Sequence, residues 1–394
     1  MTPPKQFATP RARDGGRLVL GRTASLASLK RIACAVAATF SVSAAHASLN
    51  SLDIEPLYTR DNCAQALTQI EKTLTQEFQY SRAVVLLQQG SHRLLELSFG
   101  RGIHSTTPFL LGSVNKTLDA VTAMRLHEKG NLKLDQPIEP FLPENFRKNL
   151  SADWGTIKIR NLLNHTSGIA DYINQDDASS QSRANQLLRT PQNLEALLDL
   201  AGKTLWFHPL TQLAYSNTNY LLLAHLLEKL TGKTLEDNFK AELVQPLSLQ
   251  NTGVARQMDP EIVGSTGISL PNLLGVGNAY STADDLLKVL RGLDGDTPLL
   301  TTGSIFDFLY KSDPACHPGS DCHRYGMGFS LRSEIHPFHW NWVLHEGHLR
   351  GVSHVIAKIP DQKLNLVILS DESELSLEGN ARGIFSLLIG AKCF

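Results

Sequence analysis

The sequence predicts an α+β fold, in which an antiparallel sheet is flanked by N- and C-terminal helices and a mainly helical segment is inserted between two groups of strands. Strand-like runs lie near both ends of the chain, in "SRAVVLLQQGSHRLLELSFG" and in "YGMGFSLRSE", "WNWVLHEG", "SHVIAKIP" and "LNLVILSD". Helical spacing of apolar residues dominates from Ser113 to about Gly253. The two groups of strands are therefore expected to complete one sheet, which brings the chain ends together.

The N-terminal elements follow from local patterns. Residues 61–78 have helical spacing, and the apolar run that follows indicates two strands around a turn at Gly90 and Ser91. The next helix is expected to open at Ser113 and to stop at Gly130, because glycine commonly ends helices.

The C-terminal elements begin with another helix. The stretch "AYSTADDLLKVLRGL" predicts a helix whose Ser281 and Asp284 have the spacing of a capping box. Strands follow, and a last helix is expected from about Leu377 to Ile389.

One large domain is expected over residues 48–394, with the sheet at about 48–112 and 278–394 and the helical part at about 113–277, because no repeat or Pro/Gly/Ser-rich linker divides the chain. The 394 residues are 42% hydrophobic and carry 37 basic and 38 acidic side chains, an ordinary globular composition. The balanced charge argues against a nucleic-acid partner, and no stretch beyond the N-terminal segment approaches the roughly 18 apolar residues of a membrane span.

The N-terminal segment "SLKRIACAVAATFSVSAAHASLN" has the organisation of a secretory signal. Lys30 and Arg31 precede a short apolar run, and Ala45-His46-Ala47 matches an Ala-x-Ala cleavage site. A membrane anchor is the alternative, but the run is too short to span a bilayer. We expect residues 1–47 to be a signal peptide, with the mature protein periplasmic or secreted and not stably inserted in a membrane.

The four cysteines beyond this segment are even in number, as disulfide pairing in an oxidising compartment requires. A turn in "CHPGSDCH" predicts a Cys316–Cys322 pair, for which a metal site is the alternative. The expected meeting of the chain ends then predicts a Cys63–Cys393 pair.

The stretch "FLLGSVNKTLDAV" has two explanations. Ser113 is a preferred residue at a helix start, where its oxygen can accept a hydrogen bond from a free backbone N–H. Lys116 lies three residues on and shares one helix face with Ser113, so the pair could also be a nucleophile and its base.

Two later stretches have the same ambiguity. In "LAYSNTNYLLLAHLLEKLTG", Tyr215 and Asn217 precede an apolar helix, where a tyrosine can anchor the core and an asparagine can cap the helix. In "WVLHEGHLRGVSHVIAKIP", a strand carries His345 and Gly347, and this strand could equally be an edge strand with a polar face.

The order of the three stretches separates these explanations. Ser-x-x-Lys at 113–116, Tyr-Ser-Asn at 215–217 and His-Glu-Gly at 345–347 resemble the motifs of serine beta-lactamases and penicillin-binding proteins. The stretches "GSVNKTLDAVTAMRLHEKGNLKLDQPIEPFLPE", "IKIRNLLNHTSGIADY" and "GNAYSTADDLLKVL" resemble the class C beta-lactamase and D-Ala-D-Ala carboxypeptidase branch, which includes esterases and D-aminopeptidases. The resemblance covers most of the mature chain. It implies a beta-lactamase/transpeptidase-like fold and a serine hydrolase that forms an acyl-enzyme.

The chemistry explains the residue types. A serine hydroxyl is a weak nucleophile, so Ser113 needs a proton acceptor. Lys116 is the first candidate if burial favours its neutral amine, and Tyr215 is the second, as a phenolate and then as the acid that protonates the leaving group. We treat the two as a coupled pair.

The resemblance implies further site roles. Asn217 would bind the substrate amide and orient Lys116, and the backbone N–H groups of Ser113 and His348 would stabilise the oxyanion. Gly347 is expected to leave room for the substrate along its strand.

His345 departs from the family pattern, because class C beta-lactamases usually carry lysine there. With histidine at this position, the substrate could be a D-amino-acid peptide, a beta-lactam or an ester. The alternative function is that of a penicillin-binding protein, which is acylated but hardly turns over. Arg350 could bind a substrate carboxylate, although a surface role is favoured, and His165 in "NHTSG" is interpreted as part of a structural turn. No cofactor or metal is expected, and the expected partner is a small-molecule or peptidoglycan-derived substrate.

Overall fold

The computed structural model describes residues 62–175, 177–294, 299–309, 324–334, 340–373 and 375–394. The predicted signal peptide and the Cys316–Cys322 pair lie outside the described residues. The α-helices, in chain order, are α1 (Asn62–Phe78), α2 (Asn115–Glu128), α3 (Glu144–Arg147), α4 (Ile159–Leu163), α5 (Ala178–Leu187), α6 (Leu194–Ala201), α7 (Asn217–Thr231), α8 (Leu235–Phe239), α9 (Gln245–Leu247), α10 (Ala283–Arg291), α11 (Thr302–Leu309) and α12 (Glu378–Gly390). Short 3₁₀ turns lie at Gly112–Val114, Glu139–Phe141, Ala152–Thr156, Leu270–Leu273 and Pro360–Gln362, and a π-helical turn lies at Lys240–Val244.

The strands form two antiparallel sheets. Their bounds are β1 (Ala83–Gln89), β2 (His92–Phe99), β3 (Phe109–Leu110), β4 (Gly253–Val254), β5 (Ala279–Ser281), β6 (Arg324–Tyr325), β7 (Ser330–Glu334), β8 (Trp340–Leu349), β9 (Val352–Ile359) and β10 (Leu364–Ser370). The large sheet has the order β2-β1-β10-β9-β8-β7-β6, and the small sheet has the order β3-β5-β4. The expected antiparallel sheet, built from both ends of the chain around a helical insertion, is confirmed.

The large sheet is covered on both faces, which explains the apolar runs at residues 83–87 of β1 and 366–369 of β10. Every residue of β9 and β10 is buried. Alternate side chains point to opposite faces: Ile356 and Val367 pack into the core shared with the helical part, whereas Val355 and Leu366 pack beneath α1 and α12. Among the described residues, no helix is both long enough and apolar enough to cross a membrane.

The chain ends meet behind the sheet. Cys63 at the start of α1 and Cys393 just after α12 form a disulfide, with their Cα atoms 5.1 Å apart. This pairing was expected from the two groups of strands at opposite ends of the chain.

The helix at residues 283–291 begins later than the capping-box spacing suggested. Ser281 ends strand β5, and its hydroxyl lies 2.7 Å from Thr252 Oγ1. Thr282 is the cap instead, since its Oγ1 accepts a hydrogen bond of 3.1 Å from the backbone N–H of Asp285. The prediction of Ser281 as the cap was wrong by one residue, because pairing in the small sheet keeps Ser281 extended.

Candidate active site

Ser113 does not cap a helix. It lies in the 3₁₀ turn Gly112–Val114, directly before α2, and neither this turn nor α2 has a side-chain cap. The Ser113 hydroxyl instead lies 3.0 Å from Lys116 Nζ. The capping explanation is therefore wrong, and the hydroxyl faces an amine rather than the helix backbone.

Lys116 is completely buried, and the hydrogen-bond partners of its amine are three oxygen atoms. Nζ lies 3.0 Å from Ser113 Oγ, 2.9 Å from Asn217 Oδ1 and 3.1 Å from the Val276 carbonyl oxygen. The amide and carbonyl oxygens can only accept hydrogen bonds, so a neutral amine gives them its two hydrogens and turns its lone pair to the Ser113 hydroxyl. Burial lowers the pKa of Lys116 from 10.5 to about 7, which makes this neutral form accessible.

Asp171 orients Asn217, a role that was not predicted from the sequence. Its Oδ2 accepts hydrogen bonds from the Asn217 backbone N–H at 3.0 Å and from Asn217 Nδ2 at 2.8 Å. The amide nitrogen must face this carboxylate, so Oδ1 must face Lys116. The only sequence signal was an acidic residue in "NHTSGIADY", a stretch interpreted as a turn.

Tyr215 lies over the amine of Lys116, with Nζ 5.1 Å from the centre of its ring. Desolvation raises the pKa of the Tyr215 hydroxyl above its ordinary value, and a hydrogen bond with the Ser113 hydroxyl opposes this. The 39% exposure of Tyr215 moderates the desolvation without reversing its direction. Burial therefore shifts the pKa values of the coupled pair in opposite directions, lowering that of Lys116 and raising that of Tyr215.

His165 holds the loop that carries Tyr215. It has a φ of 57° in a turn, its Nδ1 accepts a hydrogen bond of 3.2 Å from the Ser216 backbone N–H, and its ring centre lies 4.4 Å from that of Tyr215. Burial lowers the pKa of His165 well below its ordinary value, so it adds no positive charge beside Lys116.

The turn of Ser113 and strand β8 touch through two glycines. A Cβ on Gly347 would lie 2.2 Å from the Leu111 carbonyl oxygen, and a Cβ on Gly112, whose φ is +54°, would lie 3.0 Å from the His348 nitrogen. This contact brings the backbone of His348 beside that of Ser113. Gly347 was expected to leave room for substrate, but the structure gives a different reason for glycine here, the close approach of two backbone segments.

His345 is buried and electrically neutral. Its Nδ1 lies 2.7 Å from the Glu346 carbonyl oxygen, which can only accept, so Nδ1 carries the hydrogen. Its Nε2 therefore accepts from the hydroxyl of Tyr325 at 2.8 Å, a partner that the sequence analysis did not identify. Burial lowers the pKa of His345 to about 3. Unlike a lysine, it brings no positive charge to this place.

Ser113, Tyr215 and His345 line one cleft of about 260 Å³. Its walls are formed by Ser113, Tyr215, Tyr325, Ser330, Arg332, Leu344, His345, Glu346, His348 and Glu378. Arg350 lies in the turn between β8 and β9 and is not among them. Within the described parts of the chain, no three His, Cys, Asp or Glu side chains gather in a way that could hold a metal ion.

Comparison with known proteins identifies the family of this chain. The Beta-lactamase family model matches residues 67–388. The chain belongs to the beta-lactamase family. This membership confirms the family that the sequence was expected to belong to, and the protein is a serine hydrolase.

Relatives of this beta-lactamase family member include penicillin-binding protein 4* of Bacillus subtilis, which is 27% identical over 80% of this chain and 73% of the relative. Teichoic acid D-alanine hydrolase of Staphylococcus aureus is 26% identical over 58% of this chain and 56% of its own length. The chain thus matches only a little over half of that second relative.

Among solved structures, a D-stereospecific amidohydrolase from Streptomyces sp. superimposes with a TM-score of 0.66 at 22% identity. The match covers 83% of this chain and 98% of that chain. It confirms the predicted beta-lactamase/transpeptidase-like fold.

Proposed function

We propose that this hydrolase breaks an amide or ester bond through an acyl-enzyme at Ser113. The observation that carries the proposal is the buried amine of Lys116, whose nitrogen lies 3.0 Å from Ser113 Oγ while its other two partners are acceptors only. That geometry leaves one place for the lone pair of the amine, the serine hydroxyl.

The proposed reaction has two halves. Lys116 takes the proton of Ser113 as Oγ bonds to the acyl carbon, and the backbone N–H groups of Ser113 and His348 stabilise the oxyanion, each by about 2.7–4 kcal/mol. The bond to the leaving group then breaks as the Tyr215 hydroxyl donates its proton to it, and Lys116 returns a proton to Tyr215. In the second half, water attacks the acyl carbon while Lys116 takes a proton from the water. The bond to Ser113 Oγ then breaks as Tyr215 donates its proton to Oγ, Lys116 returns a proton to Tyr215, and the acid is released. Asn217 orients Lys116 and binds the substrate amide.

The substrate is proposed to be a D-amino-acid peptide, amide or ester, or a beta-lactam. The names of the relatives support the D-amino-acid class, since one acts on D-alanine in teichoic acid and another is a D-stereospecific amidohydrolase. We further propose that residues 1–47 are a signal peptide and that residues 48–394 work in the periplasm or outside the cell. The motif Lys-Arg before a short apolar run supports this location.

Turnover separates a hydrolase from a penicillin-binding protein that only acylates. The purified protein is mixed in rapid-kinetic experiments with a chromogenic beta-lactam, a short-chain p-nitrophenyl ester, D-alanine p-nitroanilide and a D-Ala-D-Ala peptide. We expect sustained release from at least one substrate, together with a transient acyl adduct on Ser113 detected by mass spectrometry. One equivalent of product followed by a stable adduct on every substrate would contradict hydrolysis.

The acylation rate is expected to rise with pH through a midpoint near 7. Lys116 has a pKa lowered to about 7 by burial, and only its neutral form can accept the Ser113 proton. The measurement is kcat/KM for the ester from pH 5 to 9, since this parameter reports the free enzyme. A profile that is flat across this range would contradict Lys116 as the base.

A further inference from the structure

We propose that Asp119 is a positioning residue for the base of the reaction, and that it acts by geometry rather than by charge. Through the side chain of Asn115 it fixes the segment before and within β5, which holds the Val276 carbonyl oxygen on the Lys116 amine. This inference rests on the proposed function, because it concerns how the lone pair of that amine is aimed at Ser113.

Asp119 is a buried acid that the proposed reaction does not use. It lies on α2, one turn after Asn115 and three residues after Lys116, and none of its surface is exposed. Its Oδ2 accepts a hydrogen bond of 3.0 Å from Asn115 Nδ2. Burying a carboxyl group costs free energy unless its oxygens form hydrogen bonds, so the contact with Asn115 is the one that holds this side chain in place.

Asn115 links Asp119 to a distant segment of the chain. Because its Nδ2 donates to Asp119, its Oδ1 is turned the other way, where it accepts a hydrogen bond of 2.9 Å from the backbone N–H of Ala279. The carbonyl oxygen of Ala279 accepts in turn from the Leu111 backbone N–H at 2.8 Å. Ala279 is thus bound on one side by α2 and on the other by the residues that lead into the Ser113 turn.

The segment held in this way carries an oxygen that binds the base. The Val276 carbonyl oxygen, three residues before the bound end of the segment, lies 3.1 Å from Lys116 Nζ. The segment also packs directly against the acid, since a Cβ on Gly275, whose φ is +72°, would lie 3.3 Å from Asp119 Oδ2. Asp119 therefore contacts this segment itself and also restrains it through a hydrogen-bonded neighbour.

The position of this oxygen decides where the lone pair of the amine points. A neutral amine has two hydrogens, which Asn217 Oδ1 and the Val276 carbonyl oxygen accept, so the lone pair faces Ser113 Oγ. If the Val276 oxygen moves away, the amine can rotate and turn a hydrogen toward Ser113 instead. Asp171 fixes the first of the two acceptors, and Asp119 fixes the second.

Asp119 has this role as a neutral acid. Its Oδ1 is buried and has no hydrogen-bond partner among the described residues, which disfavours a charge at this place. Burial raises the pKa of Asp119 well above its ordinary value, although the Lys116 charge opposes this. The titratable groups with which it interacts are Lys116 on its own helix and Tyr220 on α7. An ionised Asp119 would raise the pKa of Lys116, and a neutral one does not.

The test compares two substitutions of Asp119 with the p-nitrophenyl ester as substrate. Asp119→Ala removes the acceptor for Asn115 Nδ2, and we expect kcat to fall roughly 10- to 100-fold with KM changed less than about threefold, the effect of a misplaced reacting group. Asp119→Asn keeps an oxygen that accepts from Asn115. It should restore kcat to within about threefold of the wild type and leave the midpoint of kcat/KM where the wild type has it.

Thr122→Ala is the matched control for Asp119→Ala. Thr122 is also buried on α2, but its hydroxyl donates to the Leu118 carbonyl oxygen of the same helix, 2.8 Å away. Its loss should leave kcat unchanged. A kcat of Asp119→Asn as low as that of Asp119→Ala overturns the inference. A midpoint for Asp119→Asn that is lower by about one pH unit also overturns it, because the charge of Asp119 would then act on Lys116.

Crystal structures of the variants separate this inference from the proposed reaction. The distance from the Val276 carbonyl oxygen to Lys116 Nζ should exceed about 3.5 Å in Asp119→Ala, beyond hydrogen-bond range, and should stay near the wild-type value in Asp119→Asn. If Asp119→Ala is unstable, Asn115→Ala breaks the same link. These distances need no turnover, so they decide the inference even for a protein that hydrolyses none of the substrates. An unchanged distance overturns it even if hydrolysis through Ser113 is established.

Discussion

Ser113→Ala is expected to abolish acylation and to lower turnover by at least about 10⁴-fold, because the variant has no atom that can form the acyl bond. The fold should survive. The Ser113 hydroxyl contacts Lys116, and in the variant the Lys116 amine still has Asn217 Oδ1 and the Val276 carbonyl oxygen as hydrogen-bond partners. The measurement combines steady-state turnover of the p-nitrophenyl ester with intact-protein mass spectrometry after exposure to a fluorophosphonate.

Ser330→Ala is the matched control for this variant, since Ser330 also lines the cleft but lies on β7, away from the amine. It should still label and turn over. Retained labelling of Ser113→Ala, or loss of labelling only in Ser330→Ala, would show that Ser113 is not the nucleophile. Thermal unfolding of both variants shows whether either change acts through the fold.

Lys116→Met is expected to slow acylation by about 10²- to 10⁴-fold, the range for loss of a general base. It should also change how stability depends on pH. Because the folded amine releases its proton near pH 7 and the unfolded one near 10.5, the unfolded chain binds more protons between these values. The wild-type free energy of unfolding therefore gains up to about 1.4 kcal/mol per pH unit in that window from this group, and Lys116→Met should lack this gain.

Tyr215→Phe provides the comparison, because it removes the hydroxyl while leaving the buried amine. It should slow the reaction and keep the wild-type rise of kcat/KM near pH 7. Urea unfolding of the three proteins at pH 7, 8 and 9 measures the stability effect. An identical pH dependence in the wild type and Lys116→Met would mean that the amine keeps its ordinary pKa in the folded protein.

Local sequence patterns predicted most of the helices and strands, because the bounds of these elements depend mainly on residues that are close together in the chain. The hairpin turn at Gly90 and Ser91 and the helix ending before Gly130 both depend on neighbouring residues. The meeting of the chain ends followed from the position of the strands alone. Helix starts were less predictable, since the start at Thr282 depends on the pairing of Ser281 with Phe109, which lies 172 residues earlier in the chain.

Contacts of the site that lie within one motif were predictable from the sequence, whereas contacts with a residue far along the chain were not. Ser113 and Lys116 are one helical turn apart, so their contact could be inferred from spacing. The partnership of Asp171 with Asn217 and that of Tyr325 with His345 join different segments of the chain. No periodicity encodes such pairs, and the charge of His345 could be assigned only after its hydrogen-bond partners were known.

The pairing of β1 with β10 has a consequence for how the enzyme is made. Ala83 lies opposite Ser370, so the middle of the large sheet joins residues separated by most of the chain. Such distant pairing closes late and slowly, because the loop between the strands must be ordered first. Strand β8, which carries Gly347, lies in the same sheet and supplies the backbone against which the Ser113 turn is packed. A ribosome-bound chain that lacks its last strands therefore also lacks the backbone of His348 that the proposed oxyanion site requires, and we expect no activity before these strands have paired.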